Sequence, residues 1–384
     1  MDNFVYHNPV RVVFGKDTIK ELRKLVPAKT RVLLLYGGGS IKRNGVYKQV
    51  KKALRGRKHF EFGGIEPNPR YETLMKAVAL ARKQKVKFLL AVGGGSVLDG
   101  AKFIAAAVPF KKGDPWRILD KNAPVESAVP LGSVLTLPAT GSEMNPFAVI
   151  SRNSTNEKLA FGSPLCYPVF SILDPTVTFT LPIRQVRNGV VDAFVHVCEQ
   201  YLTCDNNAPL QARLAEAVLL TLIEEGPKTI RNPKGYAARA NMMWASTVAL
   251  NGLLNVGVPQ DWTTHLIGHE ITALYGLDHA QTLAIVLPGL LANQKTQKRA
   301  RLAQCAERVF GVRSGSAARR AAAGIAEIEN FFRSVGMSTR FSEYDIDADK
   351  CAVQVSERLA PRAPFGEHKA IGPRQIAAII RSRA

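Results

Sequence analysis

The chain has 384 residues, 46% hydrophobic and 22% charged, a mix that packs into a core and excludes an intrinsically disordered protein. Its length suits two ordinary domains, and no apolar run approaches the ~20 residues of a membrane-spanning helix. The net charge is +21, from 52 Lys and Arg against 31 Asp and Glu; the basic residues are spread at helical spacings without interleaved aromatics, so a solvated basic surface with no specific nucleic-acid partner is expected.

Taken in chain order, Met1-Asp2-Asn3-Phe4 lacks the basic start and apolar stretch of a signal peptide. Phe4–Phe14 alternates like a hairpin or an edge pair. Arg31–Tyr36, Phe88–Val92, Val134–Leu137 and Val169–Leu173 are continuous apolar runs bounded by Gly, Pro or Asp, which predicts buried strands. Between them Val46–Leu54, Tyr71–Gln84 and Val97–Ala107 show helical spacing, so the grammar is that of a doubly wound parallel sheet. After Leu181-Pro182 the strands stop. Gln185–Tyr201, Leu210–Glu225, Ala237–Leu253, Trp262–Leu274, Thr282–Lys295, Ala300–Phe310 and Ala317–Val335 read as helices, as does most of Asp349–Ala384. The expected division is an α/β nucleotide-binding domain over 1–181 and an all-helical domain over 182–384, with the ligand site in the cleft between them. Five scattered cysteines, odd in number and without a C-x-x-C, argue against both a disulfide framework and a thiolate zinc site, and a reducing cytoplasm is the simplest compartment.

Two glycine clusters stand at strand ends. Gly37-Gly38-Gly39-Ser40 follows Arg31–Tyr36, and Gly93-Gly94-Gly95-Ser96 follows Phe88–Val92 and opens a helix. Backbone N–H groups there can approach a phosphate with no side chain in the way. Neither is G-x-G-x-x-G, because Lys42 and Leu98 hold the final positions, but two such turns at carboxyl ends of one sheet mark its ligand-binding edge.

Polar residues concentrate on the apolar helices further on. Asp192 and His196 are four apart on one helix, and His265 and His269 repeat that spacing on another, with Asp278-His279 opening the next. A carboxylate with imidazoles suits Zn²⁺ or Fe²⁺. Spacing favours His265 and His269 as the later ligands and leaves His279 open.

These residues converge on a known family. The chain resembles the iron-containing, or group III, alcohol dehydrogenases, most closely the branch of NADPH-dependent aldehyde reductases and butanol dehydrogenases. The likeness rests on the two glycine clusters, Glu66-Pro67-Asn68-Pro69, Val97-Leu98-Asp99-Gly100-Ala101-Lys102, Pro138-Ala139-Thr140-Gly141-Ser142-Glu143, Asp192 to His196, and His265 through His279. It implies a dehydroquinate synthase-like fold, a homodimer, and metal ligation by Asp192, His196, His265 and His279, with His269 beside the substrate instead. It also implies cofactor contacts at Gly37, Gly38, Gly39, Ser40, Asn68, Gly94, Gly95, Ser96, Asp99, Thr136, Thr140, Phe147 and Lys158.

The implied reaction is reversible reduction of short- to medium-chain aldehydes by NADPH with one Fe²⁺ or Zn²⁺, His269 relaying a proton. The strand Arg31–Tyr36 ends without the carboxylate that an NAD-binding site places against the ribose hydroxyls, and Ser40, Lys42 and Arg43 suit a 2′-phosphate, which predicts a preference for NADP(H). The alternatives are an NAD-linked polyol dehydrogenase or a dehydroquinate-synthase-like lyase on the same fold, and a basic nucleic-acid-binding protein that keeps the fold as a scaffold.

Overall fold

The computed structural model describes all 384 residues, Met1–Ala384. They form two compact units: an α/β unit of His7–Pro182 with Pro233–Thr247, and a helical unit of Met1–Tyr6, Ile183–Asn232 and Val248–Ala384. Two segments depart from the division expected at 181/182. Met1–Tyr6 groups with the helical unit, and Pro233–Thr247 with the α/β unit.

The α/β unit is built on a six-stranded, all-parallel sheet of β1 (Arg11–Phe14), β2 (Val32–Tyr36), β3 (His59–Phe62), β4 (Phe88–Gly94), β5 (Leu131–Leu137) and β8 (Phe170–Leu173), in the order β1-β8-β5-β4-β2-β3. β6 (Phe147–Arg152) and β7 (Glu157–Gly162) form a separate antiparallel hairpin. The connecting helices longer than one turn are α1 (Val46–Ala53), α2 (Tyr71–Lys83) and α3 (Gly95–Ala107). The sheet is covered on both faces, which is why its central strands read as unbroken apolar runs. Leu33, Leu35, Leu89 and Ala91 pack with α2 and α3 on one face, and Val32, Leu34, Leu90 and Val92 pack with α1 on the other. The chain leaves β2 in one direction to reach β3 and passes back across it to reach β4. The topological switch therefore lies between β2 and β4, the two strands that end in the glycine clusters.

Three expectations change. Phe4–Phe14 makes no hairpin; only Arg11–Phe14 is extended, as a parallel edge strand beside β8. β3 and the β6–β7 hairpin had no expected counterpart. β3 is half-buried throughout, because it is the edge strand and lacks the continuous apolar run of the interior. The basic residues, spread along the chain, gather in the fold. Lys58, Arg31 and Lys87 stand at the starts of adjacent strands, Val32 N–H donating to Lys58 and Lys87 N–H to Arg31, and exposed Lys29, Arg55, Lys83 and Lys85 flank them. This is the amino edge of the sheet, opposite the glycine turns. Lys51, Lys52, Arg82 and Lys83 lie there in the last turns of α1 and α2, where the helix dipole favours cations.

The helical unit contains α4 (Ile183–Tyr201), α5 (Pro209–Arg231), α7 (Thr263–Tyr275), α8 (His279–Asn293), α9 (Arg299–Arg308), α10 (Ala317–Ser334), α11 (Ala348–Leu359) and α12 (Pro373–Arg381), while most of α6 (Tyr236–Ala249) belongs to the α/β unit. No helix is long and apolar enough to cross a membrane. α5 runs through Pro227 to Arg231, past the expected stop at Glu225. α8 starts at His279, three residues before the expected Thr282, because a capping box of Asp278 and Gln281 sets its first turn.

Close packing explains one glycine within the sheet. A Cβ on Gly132 of β5 would lie 2.3 Å from Cζ of Phe170, whose ring stacks on Phe88 at 5.9 Å. Gly132→Ala should therefore cost about 1–3 kcal/mol through forced repacking. Gly38→Ala, whose Cβ would meet nothing within 4 Å, should be close to neutral. Urea-denaturation midpoints of the two variants check the difference.

Candidate functional site

The helical unit places the polar residues that the sequence singles out. Asp192, His196 and Glu199 sit at i, i+4 and i+7 on α4, so they share one stripe within its buried stretch, residues 189–201. His265 and His269 lie on α7. Gly276, at φ 73°, ends that helix in the left-handed conformation, and the Asp278 capping box starts α8 with His279 as its first residue. A three-residue connection, Gly276-Leu277-Asp278, thus returns the chain toward the end of α7 that it has just left.

Three imidazole nitrogens converge on one carboxylate oxygen. Nε2 of His196 and of His279 each lie 3.8 Å from Oδ1 of Asp192, and Nε2 of His265 lies 4.0 Å from it. The donor atoms of Asp192, His265 and His279 fall within 4.8 Å of one another, and His196 joins through Asp192 and through its ring, stacked on His265 at 4.7 Å. His269 stands outside this group, with its ring 5.1 Å from that of His279. The helical pair His265 and His269, favoured by spacing, is therefore not the pair that meets Asp192.

The residues fit a divalent metal. The three N···O separations are too long for hydrogen bonds. They are close to the spacing of ligand atoms around one ion, roughly 3–4 Å for bonds of about 2.0–2.2 Å. Burial holds the His196 imidazole down at about 4, against the pull of Asp192, which keeps the ring neutral and able to ligate. Behind the group, Oε2 of Glu199 pairs with Nδ1 of His265, and Oε1 accepts the His265 backbone N–H at 3.1 Å. Burial pushes the Glu199 carboxyl up, and N–H donors oppose that shift. Further back, Lys298 is buried against Asp261 at 3.0 Å and Glu367 at 2.7 Å. Glu199, Asp261 and Lys298 are not singled out by the sequence. Glu199 carried a signal, a third acidic or imidazole residue on the stripe of Asp192 and His196.

The α/β unit gathers the other predicted residues at the carboxyl edge of its sheet. Gly37, Gly38 and Gly39 follow β2, with Gly39 at φ 91°, and a Cβ on Gly38 or Gly39 would meet nothing within 4 Å. Ser40 opens the single turn Ser40–Arg43, and Lys42 Nζ lies 5.0 Å from the centre of the Tyr36 ring. The second cluster is crowded. A Cβ on Gly93 would lie 2.5 Å from Val97, on Gly94 2.9 Å from Leu137, and on Gly95 2.5 Å from Thr140. Ser96 is in the first turn of α3, and Thr136 is buried in β5. Lys158 of β7 donates to Oδ1 of Asn68 at 2.9 Å, and Phe147 of β6 is half exposed.

Asp99 is engaged by the protein. Its oxygens accept Ser142 Oγ–H at 2.6 Å and Val149 N–H at 3.0 Å. Beside it the buried Lys102 donates to Ser142 Oγ, Asn145 Oδ1 and the Phe147 carbonyl at 2.7–3.0 Å. Burial lowers the Lys102 ammonium to about 8, with Asp99 pulling the other way, and burial raises the Asp99 carboxyl. Together these groups pin Ser142–Val149 onto α3 and set where the hairpin with Phe147 and Lys158 begins.

A parallel sheet with glycine turns at its switch, and an aspartate–histidine group on buried helices, fit a metal-dependent enzyme that binds a nucleotide. Comparison with known proteins makes this specific. Iron-containing alcohol dehydrogenase matches residues 9–175, and the Fe-containing alcohol dehydrogenase family, C-terminal, matches residues 187–384. The chain belongs to the iron-containing alcohol dehydrogenase family. It is 58% identical over 349 residues, 90% of each chain, to the NADPH-dependent aldehyde reductase YqhD of Escherichia coli, and 41% identical over the full length of both chains to a probable NADH-dependent butanol dehydrogenase of Bacillus subtilis. Among solved structures, E. coli YqhD superposes with a TM-score of 0.98 at 53% identity, covering 100% of this chain and 99% of that one. The NADH-dependent butanol dehydrogenase A of Thermotoga maritima gives 0.95 at 36%, with the same coverage.

Proposed function

We propose that this protein is a metal-dependent, NADPH-linked alcohol dehydrogenase that interconverts short- to medium-chain aldehydes and alcohols: R-CHO + NADPH + H⁺ ⇌ R-CH₂OH + NADP⁺. The observation that carries the reading is the convergence of three imidazoles on Asp192 in a chain 58% identical to an NADPH-dependent aldehyde reductase. Asp192, His196, His265 and His279 would hold Fe²⁺ or Zn²⁺. A divalent ion there supplies a Lewis acid for the carbonyl oxygen, and NADPH supplies the hydride. His269, half-buried and outside the ligand group, would carry on a ring nitrogen the proton that the product oxygen needs. The turns at Gly37–Ser40 and Gly94–Ser96 would take the dinucleotide, the second against its pyrophosphate. Asn68, Asp99, Thr136, Thr140, Phe147 and Lys158 would complete its site, with Asp99 and Thr140 toward the nicotinamide. The chemistry requires the nicotinamide to reach the carbonyl carbon.

Five free cysteines support a reducing compartment such as the cytoplasm. We also take the protein to be a homodimer, which light scattering on the purified protein reads directly. The charge at the amino edge is accounted for by helix termini and solvated strand starts, so we assign it no sequence-specific nucleic-acid partner. Duplex DNA binding should be weak, indifferent to sequence and lost by about 0.2 M salt in a fluorescence titration. Tight binding at that salt would favour the scaffold reading instead.

The metal set is tested by metal analysis of purified variants. His265→Ala and His279→Ala should lose most bound metal and nearly all activity while remaining folded, whereas His269→Ala should retain metal and lose rate. A metal-free His269→Ala beside a fully loaded His279→Ala would return the assignment to the helical pair.

Cofactor choice has a second reading, because the B. subtilis relative carries an NADH-dependent name at 41% identity. The open glycines, Ser40, and a lysine held near the end of β2 support a site for the 2′-phosphate. We expect kcat/KM for NADPH to exceed that for NADH at least about tenfold, or roughly 1.4 kcal/mol. Gly39→Asp should erase or reverse the preference. Because Gly39 has φ 91°, Gly39→Asn serves as the control, imposing the same backbone strain without the charge. Equal loss of preference in both variants would assign the effect to the backbone, and no preference in the wild type would sink the reading.

A further inference from the structure

We propose that Glu199 is a positioning residue that makes His265 a metal ligand, by fixing the tautomer and the orientation of its ring. The inference rests on the metal reading above and concerns a residue outside the ligand set.

Glu199 follows His196 by three residues on α4, and its side chain is only 2% exposed. Its carboxylate holds His265 in two places. Oε1 accepts the backbone N–H of His265 at 3.1 Å, and Oε2 pairs with ring Nδ1 of the same residue. One buried carboxyl group thus holds both the backbone and the ring of His265. A neutral imidazole carries a single N–H. When that hydrogen is on Nδ1 and donated to Glu199, Nε2 is left with its lone pair, and Nε2 is the atom that faces Asp192 Oδ1 at 4.0 Å. The opposite tautomer would put a hydrogen on Nε2 and block a metal bond. His196 has no such anchor, since its buried Nδ1 has no hydrogen-bond partner. Its orientation comes from packing instead.

The platform under Glu199 is itself fixed. Its carbonyl accepts Asp261 N–H at 2.9 Å. Asp261 Oδ1 accepts the backbone N–H of Thr263 at 3.1 Å and its hydroxyl at 2.5 Å, at the first turn of α7, the helix that carries His265. Lys298 pairs with both Asp261 and Glu367 in turn. The carboxylate and the imidazole it orients are therefore tied to one another through backbone as well as side chains. A carboxylate in this relation to a ligating histidine sets ring orientation and raises its basicity.

The test uses the full-length protein, stripped of metal and titrated with Zn²⁺ against a competing chelator. Its companion is ¹⁵N-resolved imidazole NMR of the metal-free protein, which reads the tautomer directly. We expect His265 to be the Nδ1–H tautomer in the wild type. In Glu199→Gln, whose amide can donate as well as accept, that tautomer should lose its dominance and Zn²⁺ affinity should fall about tenfold. In Glu199→Ala the fall should approach a hundredfold. Melting temperatures of the metal-free forms separate this from a merely structural role. If Glu199→Ala does not fold, the isosteric Glu199→Gln decides alone. An unchanged tautomer, or affinities within twofold of wild type, overturns the proposal. Failure of the metal reading looks different: the wild type itself would bind no Zn²⁺, or His265→Ala would bind it as tightly as the wild type.

Discussion

A carboxylate buried on an apolar helix has to be answered by other polar groups, because leaving it uncompensated costs several kcal/mol. Asp192 is that group in the helical unit, and the elements around it are arranged to answer it. His196 comes from the next turn of the same helix and His265 from α7. His279 arrives only because Gly276 ends α7 in a left-handed turn and Asp278 caps the start of α8. Behind them stand a second buried acid, Glu199, and then the buried Lys298 with Asp261 and Glu367.

The α/β unit solves a different problem, how to turn the chain tightly at the carboxyl edge of its sheet. Its two glycine clusters use the same residue for different physical ends. At Gly93, Gly94 and Gly95 a Cβ would strike Val97, Leu137 and Thr140, so glycine is required there for packing around the start of α3. At Gly38 and Gly39 a Cβ would meet nothing, and the absence of side chains leaves room for a ligand. Lys102 and Asp99 then hold the Ser142–Val149 segment against α3 by direct hydrogen bonds, so that the polar groups of this edge stand on a fixed frame.

Parallel topology also sorts the charge. With all six strands pointing one way, every strand start lies at one edge and every glycine turn at the other. The cations at Arg31, Lys58 and Lys87 are thereby kept at the end of the sheet away from the glycine turns, where helix carboxyl termini favour them. Lys42 lies instead at the carboxyl end of β2, 5.0 Å from the centre of the Tyr36 ring.

Local pattern was enough to find the central strands, most of the helices and the acid and histidines on them. Apolar periodicity and glycine punctuation act over a few residues and do not depend on the rest of the chain. The motifs by themselves carried the resemblance to the iron-containing alcohol dehydrogenases. The edge strand β3 and the hairpin bearing Phe147 and Lys158 escaped, because half-exposed strands lack a continuous apolar run. The choice between His269 and His279 lay beyond spacing. His269 shares a helix face with His265, yet which histidine meets Asp192 depends on where the turn after Gly276 returns the chain. Glu199, legible as one more polar residue on a stripe, acquires its partner only when α7 packs against α4, 66 residues away in sequence. The gathering of Arg31, Lys58 and Lys87 into one row likewise follows from strand register. Local pattern decides which groups a helix or strand presents; tertiary packing decides which of them meet, because the atoms concerned come from segments whose separation along the chain says nothing of their distance in space.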